Sequence, residues 1–366
     1  MYSDQDRLPA AEAKAEMGNI DRYNQYVGGK MRFLLICGIS LLAIGVYSIT
    51  VGAVHVPLVD VFNVIIMGQE GINRTVIWNI RLPRVITAIV AGAALALAGC
   101  VMQCVLRNPL ASPYTLGLSQ AAAFGACFAI VFFGAGSMQS GTSASITIAA
   151  PHIMTVCALG GALLGTTIIA VLAKMTRISP EAMVLAGIAI GSIFSAGITA
   201  MQFFADSVQL SSMVFWAFGD LGKSTWTNLK FIIIVAVPIL AYFIYNRWNY
   251  NAIEAGEETA RSLGINVDRL TLTGMVLSSI LAAVVVAFMG IIGFIGLISP
   301  HMVRRFIGAD YRFLIPGSAL VGAITLLVAD TLARTIVAPL VLPVGVLTSF
   351  LGGPLFIYLL IRGYRK

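Results

Sequence analysis

Residues 81–125 read RLPRVITAIVAGAALALAGCVMQCVLRNPLASPYTLGLSQAAAFG. Arg81 and Arg84 form a charged collar, and behind it runs a Gly/Ala-rich apolar stretch long enough to span a bilayer. It closes on Asn108-Pro109-Leu110-Ala111-Ser112-Pro113, a polar turn broken by two prolines, and a second small-residue helix follows. In hydrocarbon such a segment is costly unless its small residues pack against other helices and its broken backbone is shielded by protein or water. A passive anchor needs neither provision, whereas a protein that opens a path through the membrane needs both.

Outward from that stretch, the chain keeps the same character. It is 58% hydrophobic and 11% charged, with a mean hydropathy of +0.92, which excludes a soluble globule. A spanning helix needs roughly 20 apolar residues. About ten such runs lie at 33–51, 83–105, 114–134, 150–173, 181–204, 229–246, 270–290, 293–307, 313–333 and 343–361. The eighth is short and interrupted by Gly and Pro. The expected fold is therefore all-α and polytopic. Residues 1–30 read as a polar cytoplasmic tail, loosely attached, and 31–366 as one transmembrane domain. The tail is too long and too acidic for a signal peptide, so the first apolar run reads as an uncleaved helix.

Ten crossings place both termini on one side. With the termini inside, seventeen of the 23 Lys and Arg residues fall in cytoplasmic segments and six outside. This positive-inside bias accounts for the net charge of +7 and predicts a multi-pass protein of the cytoplasmic membrane with both termini cytoplasmic. The basic residues lie in separate loops and form no stripe, which excludes nucleic acid as a partner.

Several motifs carry less than they first suggest. Cys100 and Cys104 share a helical face, yet no His or carboxylate stands nearby in sequence, so they read as small packing residues with no metal and no cofactor expected. Gly222-Lys223-Ser224-Thr225 has the end of a phosphate-binding loop, but Ala217 holds the place of the required first glycine. It reads as an external loop between Trp216 and Trp226. His55, His152 and His301 form no catalytic set, so no catalytic residue is assigned. His301 follows Ser299-Pro300, which reads as a helix break. Asp330 sits in an apolar run with Arg334 four residues on, a locally paired charge near a helix end rather than a proton relay.

The longest polar interruption, about 247–269, has a different composition. Glu257 to Leu263 fits a two-turn helix with Glu257 and Glu258 at its start, Ala260 and Leu263 on one face, Arg261 at its edge and Gly264 as its stop. On the cytoplasmic side it suits a groove on a soluble partner, and equally a solvated loop.

Four blocks in order resemble the FecCD-type permease family, the membrane subunits of ABC importers for iron–siderophore complexes, haem and vitamin B12. They are Arg81-Leu82-Pro83-Arg84 with GAALALAG, then Gln103 through NPLASPYTLG, then GFIGLISPHMVR at 293–304, and LIPGSALVGAITLLVADTLAR at 314–334 running into LPVGVLTSFLGGPLF. The similarity covers about residues 33–362. It implies a cobalamin-importer-permease-like fold of ten helices with an inverted internal repeat, in which Asn108-Pro109 and Ser299-Pro300 are equivalent breaks. It also implies a second permease subunit, as homodimer or close heterodimer, together with two ABC ATPase subunits and an external solute-binding protein. Catalysis would belong to the ATPases and not to this chain.

By position, Arg81, Arg84 and Arg334 match the arginines that meet acidic residues of the binding protein, against the alternative of snorkelling to lipid phosphates. Glu257, Glu258, Ala260, Arg261, Leu263 and Gly264 match the coupling helix. Gly92, Gly99, Gly117, Gln103, Asn108, Pro109, Ser299 and Pro300 are expected along the path and its packing seams. Val341 stands where the family often carries a glutamate. The implied function is ATP-driven import, with a ferric siderophore as first expectation and cobalamin or haem as the alternative. An ion-coupled secondary transporter is a weaker reading, because titratable groups in the membrane are scarce.

Overall fold

The computed structural model describes residues 8–52, 56–68, 71, 74–135, 151–176 and 180–363, and among these the regular structure is entirely helical. The long apolar helices are α1 (Leu8–Thr50), α3 (Leu82–Val105), α5 (Pro151–Thr176), α6 (Pro180–Phe204), α8 (Trp226–Tyr245), α11 (Val267–Met289) and α13 (Tyr311–Thr335). Shorter apolar helices are α4 (Leu118–Phe133), α12 (Ile295–Ile307) and α14 (Val344–Gly363). Each of the ten apolar runs thus holds a helix, and seven of them are long and apolar enough to cross a membrane unaided. Between them lie α2 (Leu58–Ile66), α7 (Ser207–Ala217), α9 (Arg247–Ala255) and α10 (Glu257–Ser262).

Helix α3 is the axis of the bundle and contacts α8, α9, α11, α12 and α13. Lipid tails are as apolar as side chains, so only close packing drives such an arrangement. The sequence supplies it through glycine. A Cβ on Gly92 would overlap the Gly322 carbonyl of α13, and one on Gly99 would overlap the Gly296 carbonyl of α12. Gly296 lies four residues before Pro300, whose missing N–H leaves that carbonyl without its helical donor. Gly99 lets α3 cover it.

The polar turn after α3 closes through its own hydrogen bonds. Arg107 adopts φ +47°, and the Asn108 and Arg107 amides close back on the Gln103 and Cys104 carbonyls at 3.1 and 3.0 Å. This is a Schellman closure with arginine in the position that favours glycine. The Asn108 side chain then accepts from the Leu110 amide (2.9 Å), and Ser112 and Thr115 cap the next turn reciprocally. Gly117, at φ +77°, starts α4 while lying 2.8 Å (from an added Cβ) off the Gly187 carbonyl of α6.

Two expectations are corrected. The loose tail is instead helical from Leu8 and continuous with the first membrane helix. Its AAEAKAEM segment is rich in strong helix formers, and Lys30 is buried near the helix's midpoint, 3.7 Å from Asp310. Second, Ser299-Pro300 is no break, since both are buried inside α12. The backbone breaks earlier, at 290–294, where Gly290 (φ +76°) ends α11 and Phe294 (φ +67°) opens α12. With 13 residues, α12 spans about 20 Å, short of the roughly 30 Å hydrocarbon thickness. Its irregular lead-in packs closely against the Trp216 carbonyl and Gly219. A break after the seventh membrane helix exists, but glycine makes it and proline does not.

Candidate functional site: two charged ends of one bundle

Helix α13 is 25 residues long, about 37 Å, so its two ends mark opposite ends of the bundle. One end carries Asp330 and Arg334, the other Tyr311.

At the first end the structure gathers Arg81, Arg84 and Arg334, and two of them, Arg84 and Arg334, pair with one carboxylate. Asp330 is fully buried. Arg84 donates from Nε to its Oδ1 and Oδ2 at 2.9 and 3.2 Å, with Nη2 at 2.8 Å from Oδ1, and Arg334 Nε lies 3.1 Å from Oδ2. Such charge-assisted, multidentate pairing fixes geometry as well as charge. The i+4 partner Arg334 was expected; Arg84, 246 residues away, was not.

The remaining guanidinium nitrogens close the C-terminus of α1. Arg81 Nη1 donates to the Ile49 and Thr50 carbonyls at 2.6 and 2.9 Å. Arg334 reaches the Ser48 and Val51 carbonyls at 3.2 and 3.1 Å, and the Ser48 hydroxyl at 2.6 Å. The last carbonyls of a helix lack internal donors and carry partial negative charge, so cations belong there. Arg81, Arg84 and Arg334 keep only 5, 9 and 7% of their surface exposed. They form a sheathed cluster with narrow outward edges.

Over Arg84 lies the 219–224 loop. Asp220, on which the Gly222 amide closes at 2.7 Å, places Oδ1 3.7 Å from Arg84 Nη2. Burial pushes the Lys223 ammonium down, and the neighbouring Asp220 carboxylate partly restores it. Trp226, at the start of α8, donates from its indole to the Trp78 carbonyl and packs against that ring. Val341 is half-exposed in the 336–343 connection.

At the opposite end a second network joins α9 to α3, α12 and α13. The Asn251 side chain accepts from the Tyr311 amide (2.7 Å) and donates to Asp310 (3.1 Å). Burial raises the Asp310 carboxyl, but hydrogen bonds from Arg312 and Asn251 outweigh it and hold the group at about 2. The Tyr311 hydroxyl donates to Glu254 and accepts from Arg304, and Arg304 also donates to Gln103 at 3.3 Å. Gln103 in turn donates to the Leu297 carbonyl of α12.

Helix α10 follows α9 directly. Ala260 is fully buried, whereas Leu263 is 67% exposed and does not share its face. Leu263 is the C-cap, and Gly264 (φ +80°) closes a Schellman motif through the Ile265 and Gly264 amides on the Ala260 and Arg261 carbonyls. Glu257 and Glu258 stand at the positive N-terminus, and Arg261 bridges Glu257 and Asp268 at 3.1 and 3.2 Å. A cavity of about 780 Å³ opens beside α10, lined among others by Arg107, Lys174, Met183, Ile253 and Met275. Cys100 and Cys104 are buried, Cys104 against the Tyr250 carbonyl, and no metal-ligating cluster occurs among the described residues. His55 lies outside the described residues.

A model of the FecCD transport family matches residues 40–362. A putative ABC transporter permease of Methanocaldococcus jannaschii is 54% identical over 94% of this chain and 98% of its own length. The hemin transport system permease of Yersinia pestis is 42% identical over 78% of this chain and 83% of its own. The Fe(3+)-citrate import system permease of Bacillus subtilis is 35% identical over 91% and 96%. A solved inward-facing conformation of a putative metal-chelate type ABC transporter superposes with a TM-score of 0.77 at 29% identity, covering 90% of this chain and 99% of that one.

Proposed function

This chain belongs to the FecCD transport family of ABC importer permeases, and on that premise we propose that it moves a ferric siderophore across the cytoplasmic membrane. The energy comes from ATP hydrolysed in two partner subunits, and a second permease subunit completes the path. The arginine end faces outward and receives a loaded binding protein, and the α10 end faces the cytoplasm with both termini. The Lys and Arg distribution along the sequence supports this orientation.

The observation that carries the ATP-driven reading is α10. It is a short helix pinned by one buried alanine, with its charged residues and Leu263 open to solvent beside a cavity. A partner ATPase that grips this face pulls on α9. From there Asn251, Glu254, Tyr311, Arg304 and Gln103 connect the movement to α13, α12 and α3. The glycine seams let those helices slide at backbone contact without losing hydrogen bonds. At the outer end Arg81, Arg84 and Arg334 are pre-oriented, so acidic residues of the binding protein meet guanidiniums whose ordering cost is already met. A proton-coupled mechanism is disfavoured because Asp330 is clamped between two guanidiniums.

The cargo reading rests on relatives named for haem and Fe(3+)-citrate. Haem and cobalamin remain the second reading within the same class, favoured by the higher identity to the hemin permease. The test is accumulation of a radiolabelled ferric siderophore in proteoliposomes holding the complete importer with its binding protein outside. ATP-dependent accumulation is expected, with haem and cobalamin competing poorly. Preferred accumulation of haem or cobalamin would replace the siderophore.

A further inference from the structure

Arg84 faces two carboxylates of very different standing. Asp330 is fully buried and hydrogen-bonded on both oxygens. Asp220 has 38% of its side chain exposed and stands at 3.7 Å, beyond hydrogen-bonding distance. Asp330 is structural and cannot leave without stranding two buried cations. Asp220 can leave at little cost, because water and its own turn still solvate it. It also stands where an incoming acidic side chain would have to stand to reach Arg84.

The backbone around Asp220 is built to lie close. An added Cβ on Gly222 would come within 3.2 Å of Arg84 Nη1 and 2.8 Å of Asp220 Oδ2, so a side chain there would push these two side-chain ends aside. The loop is tethered on its far side. The Asp220 amide donates to the Met289 carbonyl at 2.8 Å, and the Gly219 carbonyl accepts from the Gly345 amide at 3.3 Å. Residues 220–222 are thus a strap that covers Arg84 and is tethered to the last residue of α11 and the first turn of α14.

Building on the docking reading above, we infer that Asp220 is an internal stand-in for the binding protein's carboxylate, and that the 220–222 strap must be displaced from Arg84 when the binding protein docks. The strap keeps the arginine paired when no partner is present and sets the strength of docking. Its displacement also moves the Met289 carbonyl, which links docking to the break between α11 and α12.

The test measures binding-protein affinity for the complete importer in nanodiscs over a range of salt concentrations. Asp220→Asn keeps the cap on the Gly222 amide and removes the charge. Gly222→Ala crowds the Asp220–Arg84 contact and leaves every charge in place. Both are expected to tighten binding about threefold to fivefold at low salt, the scale of a partly exposed ion pair. Tightening by Asp220→Asn alone would mean that added positive charge acts by itself, and would overturn the strap. Unchanged affinity in both variants, with wild-type binding still salt-dependent, would overturn the strap and leave arginine docking standing. Salt-independent wild-type binding would remove the docking reading and this inference with it.

Discussion

The two ends of the bundle use the same residue types to opposite effect. At the arginine end, Asp330 is fully buried between Arg84 and Arg334, and the Arg81 and Arg334 guanidiniums close the last turn of α1. At the α10 end, Arg261 bridges Glu257 and Asp268 with more than half of its side chain exposed. The first cluster is desolvated and locked, so it positions three helices. The second is solvated and replaceable, so it suits a surface that changes partners. Burial, rather than the presence of an ion pair, separates the pairs that fix the helices from those left open, and at the arginine end only the outward edges of the guanidiniums remain for a partner.

Four experiments press on this contrast, beginning with what the two ends share. Gly99→Val places atoms inside the Gly296 carbonyl and should prevent recovery of folded, monodisperse protein in detergent; normal yield and thermal stability would show that α3 is not the packed axis. Asp330→Asn leaves two buried arginines under-compensated and should cost about 3–5 kcal/mol in denaturant titrations. Gly264→Ala forces a Cβ into φ +80° and should cost about 1–2 kcal/mol, with open space around it ruling out a clash. Glu257→Gln removes an exposed pair and should change stability by about 0.5 kcal/mol or less. Its effect should appear instead in ATP turnover coupled to transport. Equal losses from Asp330→Asn and Glu257→Gln would erase the distinction between the ends.

The pH dependence should follow the same logic. The Asp310 carboxyl is depressed to about 2, against about 3.9 for a free side chain. Its contribution is therefore complete above about pH 4 and lost only as pH falls through about 2. Thermal stability of wild type and Asp310→Asn measured from pH 8 to 5 should differ by a constant offset.

The ten apolar helices were legible because hydrophobic run length is a local property. Helix α7 was not read from the sequence, although its Asp206-Ser207-Val208-Gln209 capping box, in which Asp206 accepts from the Val208 and Gln209 amides, is a local signal. The helical extension of α1 was masked by polar composition, since helix propensity and burial of Lys30 against Asp310 decide it. The arginine cluster was only half legible. Spacing finds Asp330–Arg334, but nothing local pairs Asp330 with Arg84 or aims Arg81 at the end of α1. Ser299-Pro300 misled because proline is tolerated inside a membrane helix, and here it lies within α12.

The central claim is that movement enters at α10 and is powered by ATP. Uptake of the ferric siderophore into proteoliposomes, measured with the partner ATPase inactivated and a proton gradient imposed, tests it most directly. No accumulation is expected under those conditions, and accumulation should return with active ATPase and ATP. Sustained uptake on the proton gradient alone would contradict it.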